Sequence, residues 1–155
     1  MDRHGWKTMG LLLGMIVMIG IDAYGDEPAG DIQASLNTKV RITIGAVVVY
    51  ATMENNAAAR SFVDQLPLSI KMQDLAREEK YGYAPKKLDV AGAGGGYDPS
   101  PGDICSYVPW GNVIIYYREH GLENLVKLGT MDKAGIAQLA SYPGDVTVSF
   151  EVVKF

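Results

Sequence analysis

KVRITIGAVVVYATM, residues 39–53, is the stretch on which the architecture turns. Val40, Ile42 and Ile44 alternate with Arg41 and Thr43, the period of two expected of a half-buried strand. Gly45-Ala46, with Gly first, suits a two-residue II′ turn, and VVVYATM returns as the partner strand. The same alternation recurs near the C-terminus. There Pro143-Gly144-Asp145 turns the chain into Val146, Val148, Phe150 and Val152, which alternate with Thr147, Ser149 and Glu151.

Working inward, Asn55 or Asn56 is placed to cap a helix whose Ala59, Phe62, Val63 and Leu66 fall on one face, with Pro67 ending it. Leu68 to Met72 (LSIKM) alternates again, Lys86 to Val90 reads as a short strand, and AGAGGGYDPSPG (residues 91–102) reads as a Gly and Pro loop. Ile104 to Val108 and Val113 to Tyr117 flank a Pro109-Trp110-Gly111-Asn112 turn, the second strand being apolar on both faces and therefore central. Leu125 to Thr130 is a further strand, and Asp132 is expected to cap a second helix through Ala140 with Ile136 and Leu139 inward. About eight short strands and two helices favour a closed barrel whose open ends the helices cover.

Composition narrows the function classes. Fourteen Lys and Arg against eighteen Asp and Glu give a net charge of -4, which supplies no excess of positive charge for phosphates, so nucleic acid is not an expected partner. One Cys rules out an intrachain disulfide and any multi-Cys metal arrangement. Cys105 falls within a strand and is expected to be a small buried side chain.

Residues 1–25 carry a targeting pattern. Arg3, His4 and Lys7 precede the uncharged run Met9 to Ile21, and Ala23 and Gly25 give the small-residue pattern of a cleavage site before Asp26. The apolar run is about 13 residues long, against roughly 20 for a bilayer span, so a signal peptide and export to the periplasm or medium are expected, with no stable membrane span after cleavage. Residues 26–38 read as a flexible leader and residues 39–155 as the barrel domain.

Three runs, NAAARSFVDQLPLSI, EEKYGYAPKKL and YDPSPGDICSYVPWGNVIIYY, together resemble the bacterial cyclophilin-like fold family. The resemblance spans Val40 to Val152, and its most specific pieces are Pro101-Gly102-Asp103-Ile104 and Pro109-Trp110-Gly111-Asn112. It implies a mainly β, closed cyclophilin-like barrel with two capping helices. In catalytically active cyclophilins an Arg in a Phe-His-Arg stretch, on the strand after the first helix, donates to the prolyl nitrogen and weakens the C–N resonance that resists rotation. Here Leu68-Ser69-Ile70-Lys71-Met72 stands in that place, and Phe-His-Arg is absent. Fold alone does not carry the activity. An atypical isomerase would need another donor, Arg77 being the candidate, with Lys80 or Lys86 as further choices.

The other signals are composition and clustering. Gly92, Gly94, Gly95 and Gly96 lack the spacing and the strand-loop-helix context of a dinucleotide site, and His120 alone supports neither a His-based metal site nor a Ser-His-Asp triad. No cofactor is expected. Arg77-Glu78-Glu79-Lys80 reads either as a solvated loop or as the edge of a site. Six of the nine Tyr and Trp110 fall between residues 81 and 117, an apolar-bodied, polar-tipped set suited to a groove for a peptide or small ligand. Glu79, Lys80, Tyr83, Pro85, Tyr97, Tyr107, Pro109 and Trp110 are its candidate lining. Trp110 has two readings: as a plug closing the barrel, Trp110→Ala costs about 3–5 kcal/mol, and as a groove wall it costs little.

Overall fold

The computed structural model describes residues 37–93 and 95–154. The signal peptide and most of the leader expected from the sequence lie outside them. The elements in chain order are β1 (Lys39–Ile44), β2 (Val47–Met53), α1 (Ala57–Val63), β3 (Leu68–Leu75), β4 (Glu79–Gly82), β5 (Asp103–Tyr107), β6 (Val113–Tyr116), β7 (Leu125–Met131), α2 (Lys133–Ala140) and β8 (Val146–Val152). The strands close into a barrel in the order β1-β2-β7-β5-β6-β4-β3-β8, and β8 returns to β1 with Ile42 opposite Phe150. Each pairing is antiparallel.

Alternation sets which residues fill the barrel. Val40, Ile42 and Ile44 of β1 and Val148 and Phe150 of β8 are buried in one core cluster. Gly45 takes φ +59° and Ala46 stays out of that region, which is the II′ pattern expected at the β1–β2 turn. At Gly129 of β7 a Cβ would lie 2.7 Å from the Thr52 carbonyl oxygen of β2, so only Gly lets the two strands approach there.

The two helices sit at opposite ends. α1 follows β2, with Asn56 as its cap, the Oδ1 accepting from the Ala59 N–H at 2.8 Å. Its Phe62 is fully buried against Phe150, ring centroids 5.2 Å apart and nearly perpendicular. α2 lies by the β1–β2 turn, where Gln138 donates to the Ile44 carbonyl. Leu139 is buried as expected and Ile136 half-buried. Asp132 stands at the N-cap of α2 without capping it; its carboxylate accepts the Tyr50 N–H at 3.2 Å and so ties α2 to β2.

Three expectations are corrected. Lys86–Val90 is not a strand: it is a connection anchored by the buried Leu88, whose N–H reaches the Gly111 carbonyl. Glu79 and Lys80, the end of the run read as a solvated loop or the edge of a site, belong to β4, which pairs with β3 on one side and β6 on the other. Glu79 and Lys80 are both buried there, on opposite faces of the strand. The helix ends at Val63, earlier than Pro67, and Leu66 packs against the core from the loop.

The α2 end is closed by charge. Lys80 points into the barrel with its side chain fully buried, donating to Asp74 Oδ1 (2.7 Å) and to the carbonyls of Tyr142 (2.6 Å) and Gly144 (2.8 Å). The Tyr117 hydroxyl donates to the same Asp74 oxygen at 2.5 Å. Burial opposes ionisation of Asp74, yet the bonds from Lys80 and Tyr117 prevail and hold its carboxyl below the usual range. Burial and the bond to Asp74 together push the Tyr117 phenol up to about 12.

Candidate functional site

Register places a second set of side chains on the outside of the barrel. Leu75, Glu79 and Tyr116 form one row across β3, β4 and β6; Gln73, Tyr81, Ile114 and Cys105 form the next, extending onto β5. Cys105, Ile114, Tyr116 and Leu125 make a buried cluster here, with Tyr81, Tyr97 and Tyr107 packed on it. An outer sheet face this apolar needs a cover, and Tyr97, from the loop before β5, supplies part of it together with Tyr81 and Tyr107.

The β5–β6 connection is stiff. The N–H groups of Trp110 and Gly111 both reach the Tyr107 carbonyl, Gly111 takes φ +61°, and the buried Asn112 accepts the Tyr107 N–H at 3.0 Å. The turn holds the Trp110 indole at 5.2 Å from the Tyr107 ring, edge to face, while leaving Trp110 53% exposed. Trp110 therefore does not plug the barrel; its turn lies toward the α1 end, where the Leu88 N–H meets the Gly111 carbonyl and the buried side chains are Phe62 and Leu88. Instead the indole divides a groove into two depressions. One, of about 160 Å³, is lined by Leu75, Glu79, Tyr107, Ile114, His120 and Glu123 besides Trp110 and Asn112. The other, of about 210 Å³, is lined by Lys71, Gln73, Tyr81, Gly82, Tyr83 and Trp110.

The first depression is acidic. Glu79 is only 4% exposed, and burial pushes its carboxyl up. His120 sits among three carboxylates: Nδ1 is 2.9 Å from Glu78 and 3.9 Å from Glu79, and Nε2 is 3.3 Å from Glu123. Burial disfavours its charge, but the bond to Glu78 and the three negative charges prevail and raise its pKa above the ordinary 6.5. The Tyr116 hydroxyl is buried with no neighbour to bond but Glu79, and burial followed by the charge of Glu79 pushes the phenol up. Its ring lies 5.1 Å from that of His120. Among the described residues no group of three or more His, Cys, Asp or Glu is arranged to hold a metal ion.

A pH dependence follows. A histidine whose folded pKa is raised contributes stability that is complete below about 6.5 and fades as pH rises through its folded value. His120→Gln is expected to remove that decline. Urea midpoints measured from pH 6 to pH 9 on both proteins check it, and parallel curves would contradict it.

The structure brings some of the sequence candidates together and separates others. Glu79, Tyr83, Tyr107 and Trp110 line the groove. Lys80 faces the opposite way, into the barrel. Pro85 and Pro109 are exposed and outside both depressions, Pro109 acting only through the turn. Tyr97 packs beside the groove, donating to Asp103 at 2.7 Å, and Lys127 and the Ser100 N–H meet the same carboxylate. That carboxylate anchors the Gly-rich loop, and it belongs to the Pro101-Gly102-Asp103-Ile104 run. Arg77 lies at the β3–β4 turn, where Ala76 and Arg77 take φ +55° and +61°. It lines a cavity of about 580 Å³ at the α2 end, together with Arg118 and Tyr142. Although larger, this cavity has Asp74 and Tyr117 in its wall, and these are already bonded to each other and Asp74 also to Lys80. Sequence reasoning missed Lys71, Gln73, Leu75, Ile114, His120 and Glu123. The alternation of LSIKMQDL places Lys71, Gln73 and Leu75 on one face and is the signal that was available.

The sequence model of a family described as "Cyclophilin-like family" matches residues 42–151. Among solved structures, the solution structure of a hypothetical protein from Archaeoglobus fulgidus is similar, with a TM-score of 0.49 and 14% identity over 76% of this chain and 96% of that one. No curated protein matches the sequence.

Proposed function

The chain belongs to the cyclophilin-like family, and from that premise we propose that it is an exported, non-catalytic binding domain holding an extended peptide or a small ligand in the groove on both sides of Trp110. The observation that carries this reading is the indole itself: 53% exposed, fixed on a stiff turn and flanked by two depressions rich in Tyr. Large rigid amphipathic rings give contact area at low entropic cost, which is why they anchor binding sites. Export is supported by the charge order and length of residues 1–25, and mass spectrometry of the native protein is expected to find an N-terminus at or near Asp26. A cytoplasmic chain beginning at Met1 would contradict it.

A second reading is favoured by one observation. Lys71 lines the depression with Tyr81, Tyr83 and Trp110, and it stands on the strand after α1, where the resemblance to catalytically active cyclophilins puts the donor to the prolyl nitrogen. Lys71 is also paired with Asp145 at 3.3 Å. Arg77 lies outside this groove.

The test is selection of a random capped hexapeptide pool on immobilised protein. The parent is expected to enrich peptides that Trp110→Ala does not, while Trp110→Ala loses no more than about 1 kcal/mol of stability, the scale of an exposed ring and one aromatic contact. A protease-coupled prolyl assay is expected to show no acceleration. Acceleration abolished in Lys71→Met would replace this reading with isomerisation, and equal retention by Trp110→Ala would remove the groove from either.

A further inference from the structure

We propose that the depression lined by Glu79 is a subsite for a cationic side chain, so that the groove selects peptides carrying lysine or arginine. The inference rests on the binding reading above and names the ligand chemistry of the same groove. Its first support is a charge imbalance. Glu79 is nearly fully buried, and its nearest positive group is His120 Nδ1 at 3.9 Å, beyond hydrogen-bond reach. Among the described residues no lysine or arginine lies within 4 Å of Glu78, Glu79 or Glu123. A single imidazolium shared by three carboxylates leaves the pocket negative even when fully protonated.

The second support is independent of charge. The Tyr116 hydroxyl, fully buried beside Glu79, has no partner other than that carboxylate. Even with the phenol O–H turned to Glu79, the carboxylate and the phenol oxygen keep unused lone pairs, the complement of an ammonium or guanidinium group, which carries only donors. The walls fit the rest of such a side chain. Leu75 and Ile114 are apolar surface for an alkyl stem, Tyr107 and Trp110 offer aromatic rings to a cation, and a volume of about 160 Å³ holds one long side chain. A neutral side chain would bury Glu79 further without a partner, and an acidic one would meet three like charges. Discrimination thus comes from penalty as well as attraction. The occupant is a peptide side chain because the depression opens, past the indole, onto the second one, which lies along β3 and β4 and has Tyr81 and Tyr83 to receive neighbouring residues.

The test uses the full chain carrying Trp6→Phe, so that indole fluorescence reports Trp110 alone. It is titrated with acetyl-Ala-Ala-Arg-Ala-Ala-amide and with the same pentapeptide containing citrulline, a neutral near-isostere. The arginine peptide is expected to bind about tenfold more tightly than the citrulline peptide. Glu79→Gln is expected to erase the difference, and Glu123→Gln, at the half-exposed rim, to reduce it with the fold undisturbed. Equal affinity for the two peptides would overturn the cation assignment while leaving the groove intact. So would a hexapeptide pool enriched over Trp110→Ala without lysine or arginine. Putrescine binding as tightly as the arginine peptide would overturn the assignment to a peptide. No enrichment of any peptide over Trp110→Ala would instead overturn the binding reading beneath it.

Discussion

Lys80→Ala is expected to lose about 3–5 kcal/mol of stability, the scale for removing one partner of a buried ion pair. All three donors of the Lys80 ammonium are used, on Asp74 and on the carbonyls of Tyr142 and Gly144, and the side chain has no exposure. Truncation leaves a carboxylate and two carbonyls short of partners and opens a void at the α2 end of the barrel. The Tyr117 hydroxyl still donates to Asp74, which softens the loss without replacing it. Because Lys80 and Asp74 act as one unit, the double variant Lys80→Ala with Asp74→Ala should lose less than the two single losses added. Urea unfolding of the three variants measures this, and additive losses would show that the network does not act as described.

Phe62→Ala is the second large effect, also about 3–5 kcal/mol. α1 is only seven residues long, too short to persist alone, and Phe62 is its one large side chain with no exposure. The ring meets Phe150 of β8 edge to face, so its loss removes both the helix's anchor and the cover over that end of the barrel. Thermal unfolding with far-ultraviolet circular dichroism checks it. A variant as stable as the parent would mean that Asn56 and the alanines alone hold the helix.

These two residues differ in how openly the sequence announces them. Phe62 lies on an apolar face at helical spacing after a capping Asn, and β1, β2 and β8 likewise show their alternation because one face of each meets the core and the other meets water. β4 escapes the same reading. Its residues Glu79 and Lys80 are charged and buried together, which the sequence alone presents as a solvated run; only tertiary partners, Asp74 for one and the His120 surroundings for the other, make burial tolerable. Lys86–Val90 fails in the opposite direction, a single buried Leu88 imitating a strand. Half of the groove was legible as an aromatic cluster between residues 81 and 117. The acidic half was not, since Glu79, His120 and Glu123 converge only through the pairing of β4 with β6 and the loop beyond it.

That division also explains the two roles Trp110 was open to. Its turn chemistry is local and readable: Pro109, Gly111 and Asn112 fix the indole. Which side of the barrel the turn presents is a matter of topology, and β5 and β6 present it outward, toward Tyr81 and Tyr83, while Phe62 of α1 and Leu88 are the buried side chains at that end.

The most direct measurement is the nuclear magnetic resonance signal of the Trp110 indole N–H during titration with a hexapeptide recovered from the pool. Saturable movement of that signal together with the amides of Tyr81, Tyr83 and Ile114, and none at Arg77 or Arg118, is the predicted result. Binding that moves the Arg77 and Arg118 amides and leaves the indole unmoved would place the site in the cavity at the α2 end and contradict the groove.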